Sequence, residues 1–276
     1  MMKEKECGWR FTRGCVMEDR AFIRGRWFRL SLPVFLSTLF FSACLASNVH
    51  AAPAGGYTDD VSIGGPLYVG CKDASKTLLI PKGTRVQAGS VFIGWSDSTA
   101  DNFLEISYDA TLIVTDACSR PAACEIRCGT LWLNGGEVFS DSISVWSNST
   151  LGGRGTVSAT TLCEGTLAPG APIGTLVHHG NLALSQSASA AFEIGGYVPD
   201  SEFDRVAVNG RLCLAGTLNL SLVNGFIPRN GDRFVIMTGS SVSGLFSDVF
   251  ISNCPPELAA DVIVDDASVT IVFSAR

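Results

Sequence analysis

Short runs in which apolar and polar residues alternate fill the chain between residues 164 and 250. The apolar side chains recur at every second position, and a period of two places each set on one face of a β-strand. The sets are Leu182 and Leu184, Phe192 and Ile194, Val206 and Val208, Leu212 and Leu214, Leu218 with Leu220 and Leu222, and Phe234 and Ile236. Turn dipeptides such as Asn209-Gly210 and Asn224-Gly225 separate the runs. The pattern predicts an all-β protein of short strands whose apolar sets face the core.

A longer repeat is visible over the middle of the chain. Five segments start with a small residue, then a serine or threonine, then an apolar residue. The apolar residues are Val91, Leu112, Leu131, Leu151 and Leu167, at steps of about 20 residues, which is the lower edge of the range for solenoid repeats. Because one such repeat is too short to bury its own apolar face, we expect stacked rungs. The residues after Ala51 would form about eleven rungs, in a column roughly 50 Å long at ~4.8 Å per rung.

Several short motifs between residues 167 and 220 follow one another in the order of a known family. They are Leu-Ala-Pro-Gly-Ala-Pro-Ile-Gly-Thr-Leu at 167–176, Leu-Ala-Leu at 182–184, Glu-Ile-Gly-Gly at 193–196, the strand at 203–210, and Gly-Thr-Leu-Asn-Leu at 216–220. They resemble the C-terminal part of passenger regions that carry autotransporter-associated β-strand repeats. Ile173 departs from that family's pattern, because it interrupts the usual Ser-Pro-Gly order.

The resemblance is close over about 90 residues and looser over residues 60–163. It implies a right-handed parallel β-helix, a β-solenoid, on the bacterial cell surface, and it implies no enzyme activity. A β-sandwich is the alternative fold, since short alternating strands also suit that class.

The N-terminus has the features of an export signal. Four arginines precede the apolar run of residues 30–45, and Val-His-Ala at residues 49–51 ends in a small residue, as signal cleavage sites do. The run is short for a membrane span. We expect cleavage after Ala51 and export to the extracellular space or cell surface, with no transmembrane segment in the mature chain.

A second processing site competes with the first. Phe-Ser-Ala-Cys at residues 41–44 resembles a lipobox, although Phe41 stands where that motif prefers leucine. The alternative is therefore lipidation of Cys44, which would anchor the protein in the envelope or periplasm through its acyl chains.

Four segments follow from these patterns. Residues 1–51 are interpreted as a signal peptide, 52–60 as a flexible lead-in, 61–163 as irregular β-solenoid repeats, and 164–276 as the passenger-like C-terminal part with a cap. The candidate cap follows Pro255-Pro256 and contains strands at residues 262–264 and 269–273. A solenoid needs such a cap because an open sheet edge aggregates.

The charge distribution narrows the range of partners. Residues 1–51 hold eight basic and four acidic side chains, and the remainder holds 12 and 22, so the mature part has a net charge near −10. Such a charge repels nucleic acid phosphates and anionic membranes. The composition excludes nucleic acid as a partner and leaves surface glycans or other envelope proteins.

Seven cysteines remain after Ala51, and an exported chain lies where disulfides persist. Cys118, Cys124 and Cys128 form the only cluster and are a candidate disulfide group, with buried unpaired thiols as the alternative. No histidine lies near enough to complete a zinc site. Cys163 and Cys213 lie in strand-like runs, so we expect both in the core.

Two polar groups consist of residue types that can bind metal ions. Asp200, Glu202 and Asp204 alternate, so on a strand they would share one face and offer oxygen ligands to Ca²⁺; in a loop they would simply be solvated. His178 and His179 are adjacent and point to opposite faces of a strand, so they cannot easily share a metal. We expect both histidines in solvent at a strand end and no bound cofactor.

Trp95, Asp97, Asp101 and Phe103 form a candidate glycan-contact group, with an ordinary turn as the alternative. Parallel β-helices include pectate lyases and polygalacturonases, but the Asn-Thr-Asp, Gly-Asp-Asp and Gly-His-Gly segments of those hydrolases are absent here. The sequence therefore predicts an exported, non-catalytic, structural or adhesin-like β-solenoid at the bacterial cell envelope. The alternative is a carbohydrate-binding or polysaccharide-cleaving β-helix.

Overall fold

The computed structural model describes residues 20–23, 26–29, 60–70, 75–95, 101–115, 122–170 and 172–276. Within these residues every regular element is a β-strand. The strands are β1 (Arg20–Ile23), β2 (Arg26–Arg29), β3 (Asp60–Ser62), β4 (Pro66–Val69), β5 (Thr77–Ile80), β6 (Arg85–Ala88), β7 (Ser90–Ile93), β8 (Asn102–Ser107), β9 (Thr111–Val114), β10 (Ala123–Ile126), β11 (Gly129–Val145), β12 (Thr150–Cys163), β13 (Thr166–Pro169), β14 (Thr175–His179), β15 (Leu182–Leu184), β16 (Ser189–Ile194), β17 (Arg205–Val208), β18 (Arg211–Leu214), β19 (Thr217–Leu222), β20 (Arg233–Thr238), β21 (Ser241–Gly244), β22 (Asp248–Ser252), β23 (Leu258–Val264) and β24 (Ser268–Ala275).

The first two strands form an antiparallel pair in which Arg20 lies opposite Arg29. They belong to a compact unit of residues 1–40, and all other strands belong to a second unit of residues 41–276. The predicted cleavage site at Ala51, the alternative lipidation site at Cys44 and residues 52–59 of the lead-in lie outside the described residues. Asp60, the last lead-in residue, is already the first residue of β3.

Parallel pairing organises β3 to β22 into three ladders, here named faces A, B and C. Face A contains β3, β6, β9, β11, β12, β14, β17 and β20. Face B contains β4, β7, β10, β11, β12, β15, β18 and β21. Face C contains β5, β8, β11, β12, β13, β16, β19 and β22.

The chain passes through faces A, B and C once in each coil, so the described residues form eight coils. The long strands β11 and β12 bend through all three faces; β11 pairs on face C near Leu131, on face A near Val138 and on face B near Ile143. Parallel register from coil to coil defines a β-solenoid, whereas a β-sandwich is antiparallel. The predicted β-solenoid class is confirmed, and the sandwich alternative is wrong.

The predicted repeat is only half right. Leu131, Leu151 and Leu167 do stack in register on face C. Val91 instead lies on face B, and Leu112 lies on face A. A uniform period of about 20 residues and a count of eleven rungs are therefore wrong. Turns of different length between the strands explain the error, since the register step on face C is about twice as long from Leu218 to Val249 as from Leu151 to Leu167.

The core runs along the inside of the stack. Every set of apolar residues that the alternation predicted to face inward is buried, including Leu218, Leu220 and Leu222. Several stack on the inward residue of the neighbouring coil, as Leu220 does on Phe192 and Leu212 does on Leu182. Burying a side chain of this size stabilises the fold by roughly 1.5–3 kcal/mol, so the interior column supplies the main stabilising contribution.

The C-terminal hairpin covers the end of face A. Strands β23 and β24 pair antiparallel, and β24 also pairs antiparallel with β20. Ile271 and Phe273 of β24 are buried, and the ring of Phe273 packs edge-on against Phe234 at 5.8 Å. The two strands predicted at residues 262–264 and 269–273 lie within β23 and β24.

The ladders continue without a break at Cys163, where two solenoid segments were predicted to meet, because β12 pairs with β13, β14 and β15. In the described part of the chain, no helical segment has the length and apolar character needed to cross a membrane.

Candidate functional site

Aromatic side chains accumulate on the outside of face B. Leu67 and Val69 of β4 point inward, so Tyr68 between them points outward, and Phe92 has the same position on β7. The two residues are register partners, and their rings stack with centroids 5.1 Å apart and planes 19° apart. The ladder register therefore brings together two rings that are distant in the sequence.

Trp95 closes one end of this stack. It follows β7, and its backbone N–H donates to the Gly70 carbonyl at 3.0 Å. The indole packs edge-on against Phe92 at 4.9 Å and against Tyr68 at 5.4 Å. It is nevertheless 41% exposed, so part of the indole is open to a ligand.

Arg127 links Trp95 to a second exposed indole. Its guanidinium carbon lies 4.7 Å from the Trp95 ring centroid and 5.2 Å from that of Trp146. Glu125 holds the guanidinium in place through a 2.7 Å ion pair. Trp146 is 46% exposed. We name Tyr68, Phe92, Trp95, Arg127 and Trp146 the aromatic platform.

The chemistry of the aromatic platform suits a flat ligand with an apolar face. Its cation–π contacts contribute about 0.5–1 kcal/mol each at exposed positions, so they order the side chains before any ligand arrives. Rigid, amphipathic indoles offer large contact area at low entropic cost. Arg127 and Glu125 place a donor and an acceptor beside the rings, which gives hydroxyl groups a polar partner.

The structure divides the predicted glycan-contact group. Trp95 belongs to the aromatic platform, whereas Phe103 lies on face C, paired with Thr77 and Thr130. Asp101 is exposed immediately before β8, with a positive φ of 60°. Asp97 lies outside the described residues. The predicted grouping of Trp95 with Phe103 is wrong, because the two residues lie on different faces of the solenoid.

Sequence reasoning missed the other platform residues. Tyr68, Phe92 and Arg127 lie in three different strand regions, and only the ladder register shows that they are neighbours. One signal was present: aromatic residues occupy the outward positions of strands whose inward positions are aliphatic, as at Tyr68 and Phe92.

The acidic triplet does not converge on one point. Asp200 is exposed and forms a 3.6 Å ion pair with Arg205. The Glu202 carboxylate accepts hydrogen bonds from the backbone N–H groups of Tyr197 and Val198. Asp204 is buried and accepts bonds from other backbone groups, so the three carboxylates point to separate partners. Among the described residues no group of three His, Cys, Asp or Glu side chains is placed to hold a metal ion.

The two histidines differ from the prediction. His179 is exposed, and its Nδ1 lies 2.6 Å from Asn209 Nδ2. His178 is 0% exposed, because it follows the inward position of Leu176 and stacks between Val157 and Val208 inside face A. Burial lowers the pKa of His178 to about 4. The expectation that both histidines are solvated is wrong for His178.

The cysteines are free thiols wherever the structure describes them. Cys124 points into the core between Val91 and Ile143, and burial raises its pKa to about 12. Cys128 is also free, so neither forms the expected local disulfide; Cys118 and Cys71 lie outside the described residues.

The other two cysteine predictions divide. Cys163 is buried as expected, and burial raises its pKa to about 12. Cys213 is exposed, because its neighbours Leu212 and Leu214 take the inward positions. The expectation of a core position is therefore wrong for Cys213.

Asp204 is the buried charge that the sequence did not single out by itself. It is 1% exposed, and its two oxygens accept hydrogen bonds from the N–H groups of Gly174 at 3.0 Å and Glu193 at 2.8 Å. Burial raises the pKa of Asp204 to about 7, although these two donors oppose the rise. The carboxylate thus joins the turn after β13 to strand β16.

Comparison with known proteins adds no identification: no protein-family model matches the chain, and no curated protein matches it.

Proposed function

We propose that this chain is an exported, non-catalytic, structural or adhesin-like β-solenoid that is presented at the bacterial cell envelope. The passenger-type motifs between residues 167 and 220 and the signal-like N-terminus support this proposal. As part of this proposal, the chain is similar to passenger regions that carry autotransporter-associated β-strand repeats.

The observation that carries the proposal is the uninterrupted stack of eight parallel coils. A solenoid of this kind converts a short repeat into long outward faces, and such faces are the surfaces that repeat proteins use for binding. The aromatic platform lies on one of these faces. A solenoid that carries exposed aromatic side chains on one face is suited to contact with a neighbouring surface.

Export is tested in cells that express the full chain. We expect the intact mass of the purified protein to correspond to a chain that begins at Ala52, and we expect protease added to intact cells to degrade it. A chain that keeps residues 1–51 and is protected from protease inside the cytoplasm would contradict the proposal.

Attachment is tested by labelling the same cells with a radioactive fatty acid. We expect no label on the mature protein. Label that disappears in Cys44→Ser would show a lipid anchor and replace the secreted form by a lipoprotein.

The second candidate is carbohydrate binding, and the aromatic platform favours it. Half-exposed Trp95 and Trp146 on either side of Arg127 offer the stacking surface that sugar rings need. A glycan array combined with a reducing-sugar release assay separates the possibilities. Binding without release supports a glycan-binding adhesin, and reproducible release would contradict the non-catalytic assignment.

A further inference from the structure

A shallow groove of about 270 Å³ lies on the outside of face C, away from the aromatic platform on face B. Outward side chains of successive coils line it, in particular Trp132, Ala168, Ala191, Glu193, Asn219 and Ser221. None of these residues belongs to a site described above. Their arrangement follows directly from the register of face C.

Small residues make the floor of the groove. Trp132 is the register partner of Gly152, and Gly152 is the partner of Ala168. A Cβ atom on Gly152 would meet the Trp132 ring at 2.5 Å, so the indole lies across this glycine. Ala168 is followed by Ala191, because Leu167 pairs with Ala190. The indole therefore covers Gly152 and forms one end wall of the groove, beside a floor made by Ala168 and Ala191.

Polar groups make the opposite end. Asn219 is the register partner of Ala191, and Ser221 is the partner of Glu193. The amide nitrogen of Asn219 donates to Ser189 Oγ at 2.8 Å, which leaves its carbonyl oxygen as an acceptor. The Ser221 hydroxyl accepts from Ser252 at 2.8 Å, so its own proton is available to a ligand. These partners fix the side chains without using all of their hydrogen-bonding capacity.

Asp204 holds the polar end in position from below. Its carboxylate accepts the backbone N–H of Glu193 at 2.8 Å, so the strand that carries the Glu193 side chain is tied to the interior. The Glu193 side chain itself lies at the groove and is partly exposed. The site is thus built on strands, with a buried carboxylate as its support.

The lining residues define the chemical class of the ligand. They include carboxylates but no lysine, arginine or histidine, so an anionic ligand would be repelled, and the net charge near −10 after Ala51 acts in the same direction. An aromatic wall with acceptors and a hydroxyl opposite it suits a ligand with an apolar face and several hydroxyl groups. Neutral pyranose sugars have both features.

The dimensions favour an extended ligand that contacts a few units at a time. Drug-sized ligands occupy roughly 300–1,000 Å³, so this groove is slightly smaller and more open. Trp132, Gly152, Ala168, Ala191 and Asn219 are successive positions along the stack, and at ~4.8 Å per coil they span roughly 19 Å. A linear chain that lies along the solenoid axis matches this shape.

We propose that the groove between Trp132 and Asn219 on face C binds a linear, neutral oligosaccharide. The sugar ring stacks on the Trp132 indole, and its hydroxyls donate to the Glu193 carboxylate and Asn219 carbonyl and accept from Ser221. This inference rests on the carbohydrate-binding candidate function and is independent of the export proposal.

The test measures binding to the purified full chain by calorimetry and tryptophan fluorescence. The probes are cellohexaose and chitohexaose, both neutral, and hexagalacturonate, which is anionic. Trp132→Ala removes the wall, and Ala168→Leu fills the floor without removing a contact. Phe139→Ala is the matched control, because Phe139 is an exposed aromatic residue of the same strand, β11, but points outward from face A. Trp95→Ala reports on the aromatic platform separately.

We expect one of the neutral hexasaccharides to bind, at least tenfold weaker binding by Trp132→Ala and by Ala168→Leu, wild-type binding by Phe139→Ala, and no binding of hexagalacturonate. Circular dichroism and thermal melting establish that each variant is folded, and Trp132→Phe, which keeps a ring, should retain part of the affinity if Trp132→Ala does not fold.

Two outcomes would overturn the groove while leaving carbohydrate binding in place: loss of affinity in Trp95→Ala with none in Trp132→Ala, or tighter binding of hexagalacturonate than of either neutral sugar. Absence of binding to both neutral probes would overturn the groove proposal, whereas the carbohydrate-binding candidate fails only if the glycan array also shows no binding. None of these results bears on export, which is measured on cells.

Discussion

Inside the solenoid, His178 Nε2 lies 2.8 Å from the Thr161 hydroxyl, and both side chains are buried. His178 comes from face A and Thr161 from face B, so this contact joins two walls of the column across its interior. The other ring nitrogen, Nδ1, has no hydrogen-bond partner of good geometry. A protonated imidazole would therefore place a charge in a desolvated core, where the Gly180 backbone compensates it only in part.

The first prediction concerns acid stability. Burial lowers the pKa of His178 from 6.5 to about 4, so between these values the unfolded chain binds a proton that the folded chain excludes. The contribution of His178 is fully present above pH 6.5 and is lost as the pH falls towards 4, by on the order of 3 kcal/mol. In urea unfolding, the free energy of unfolding of His178→Val should therefore fall less between pH 7 and pH 4.5 than that of the wild type. Equal slopes in the variant and the wild type would contradict this role.

Asp204 should act in the opposite direction. Burial raises its pKa from 3.8 to about 7, so the folded chain retains a proton that the unfolded chain releases. This contribution is present below pH 3.8 and is lost as the pH rises through about 7. Asp204→Asn should therefore remove a decline in unfolding free energy between pH 4 and pH 7. Asp200→Asn is the control, because Asp200 is an exposed carboxylate in the same connection between β16 and β17.

The two titrations overlap, so the single variants should tilt the pH profile in opposite directions. His178→Val leaves the Asp204 effect and should make stability fall with rising pH. Asp204→Asn leaves the His178 effect and should make it rise. A double variant with a profile as steep as either single variant would show that other groups control the pH dependence.

The alternation of β18 offers a sharp test of the inward assignment. Leu212 is 0% exposed and stacks on Leu182, whereas its neighbour Cys213 faces outward and is exposed. Leu212→Asp would bury an unpaired charge, which costs several kcal/mol or unfolds the coil locally. Cys213→Asp places the same charge one residue away in solvent and should change stability by less than about 0.5 kcal/mol. Thermal melts of equal midpoint for the two variants would contradict the alternation.

The parts of this fold that sequence could predict are local. Whether Leu218 or Asn219 faces inward depends on the two-residue period of one strand, and that period is visible in the sequence. The same rule, applied fully, would have placed Cys213 outside and His178 inside, since Leu212 and Leu176 fix the two faces. The register between coils is not local, because it depends on how many residues each turn holds. The repeat pattern in the sequence therefore aligns Leu112 with Leu131, although Leu112 pairs with Val86 and Val138.

The candidate sites were harder to predict for the same reason. Tyr68 and Phe92 are stacked rings, and Trp132 lies over Gly152, yet each pair is separated by a full coil. Only the register of the ladders makes such residues neighbours. The sequence singles out Trp95 because this aromatic residue is near carboxylates. The same proximity in sequence groups Trp95 with Phe103, which lies on another face. Proximity along the chain is a poor guide to proximity on a solenoid.

The last prediction uses two glycines that both have positive φ. Gly153 in β12 has a φ of 90°, and a Cβ atom there would lie 1.9 Å from the Leu133 carbonyl oxygen of the preceding coil. Gly83 has a φ of 72° with nothing within 4 Å of the same position. Gly83→Ala should therefore lose only the left-handed backbone strain, about 1–2 kcal/mol. Gly153→Ala should lose clearly more, because the ladder between β11 and β12 must separate to admit the methyl group.

Urea unfolding of the two variants separates backbone strain from close approach between coils. If Gly153→Ala and Gly83→Ala lower the unfolding free energy by the same amount, the prediction that the two coils are too close at Leu133 to admit a methyl group is wrong. If Gly153→Ala is much the more destabilised, glycine at this position is required by the coil spacing itself, because backbone meets backbone there and no side-chain rotamer can relieve the contact.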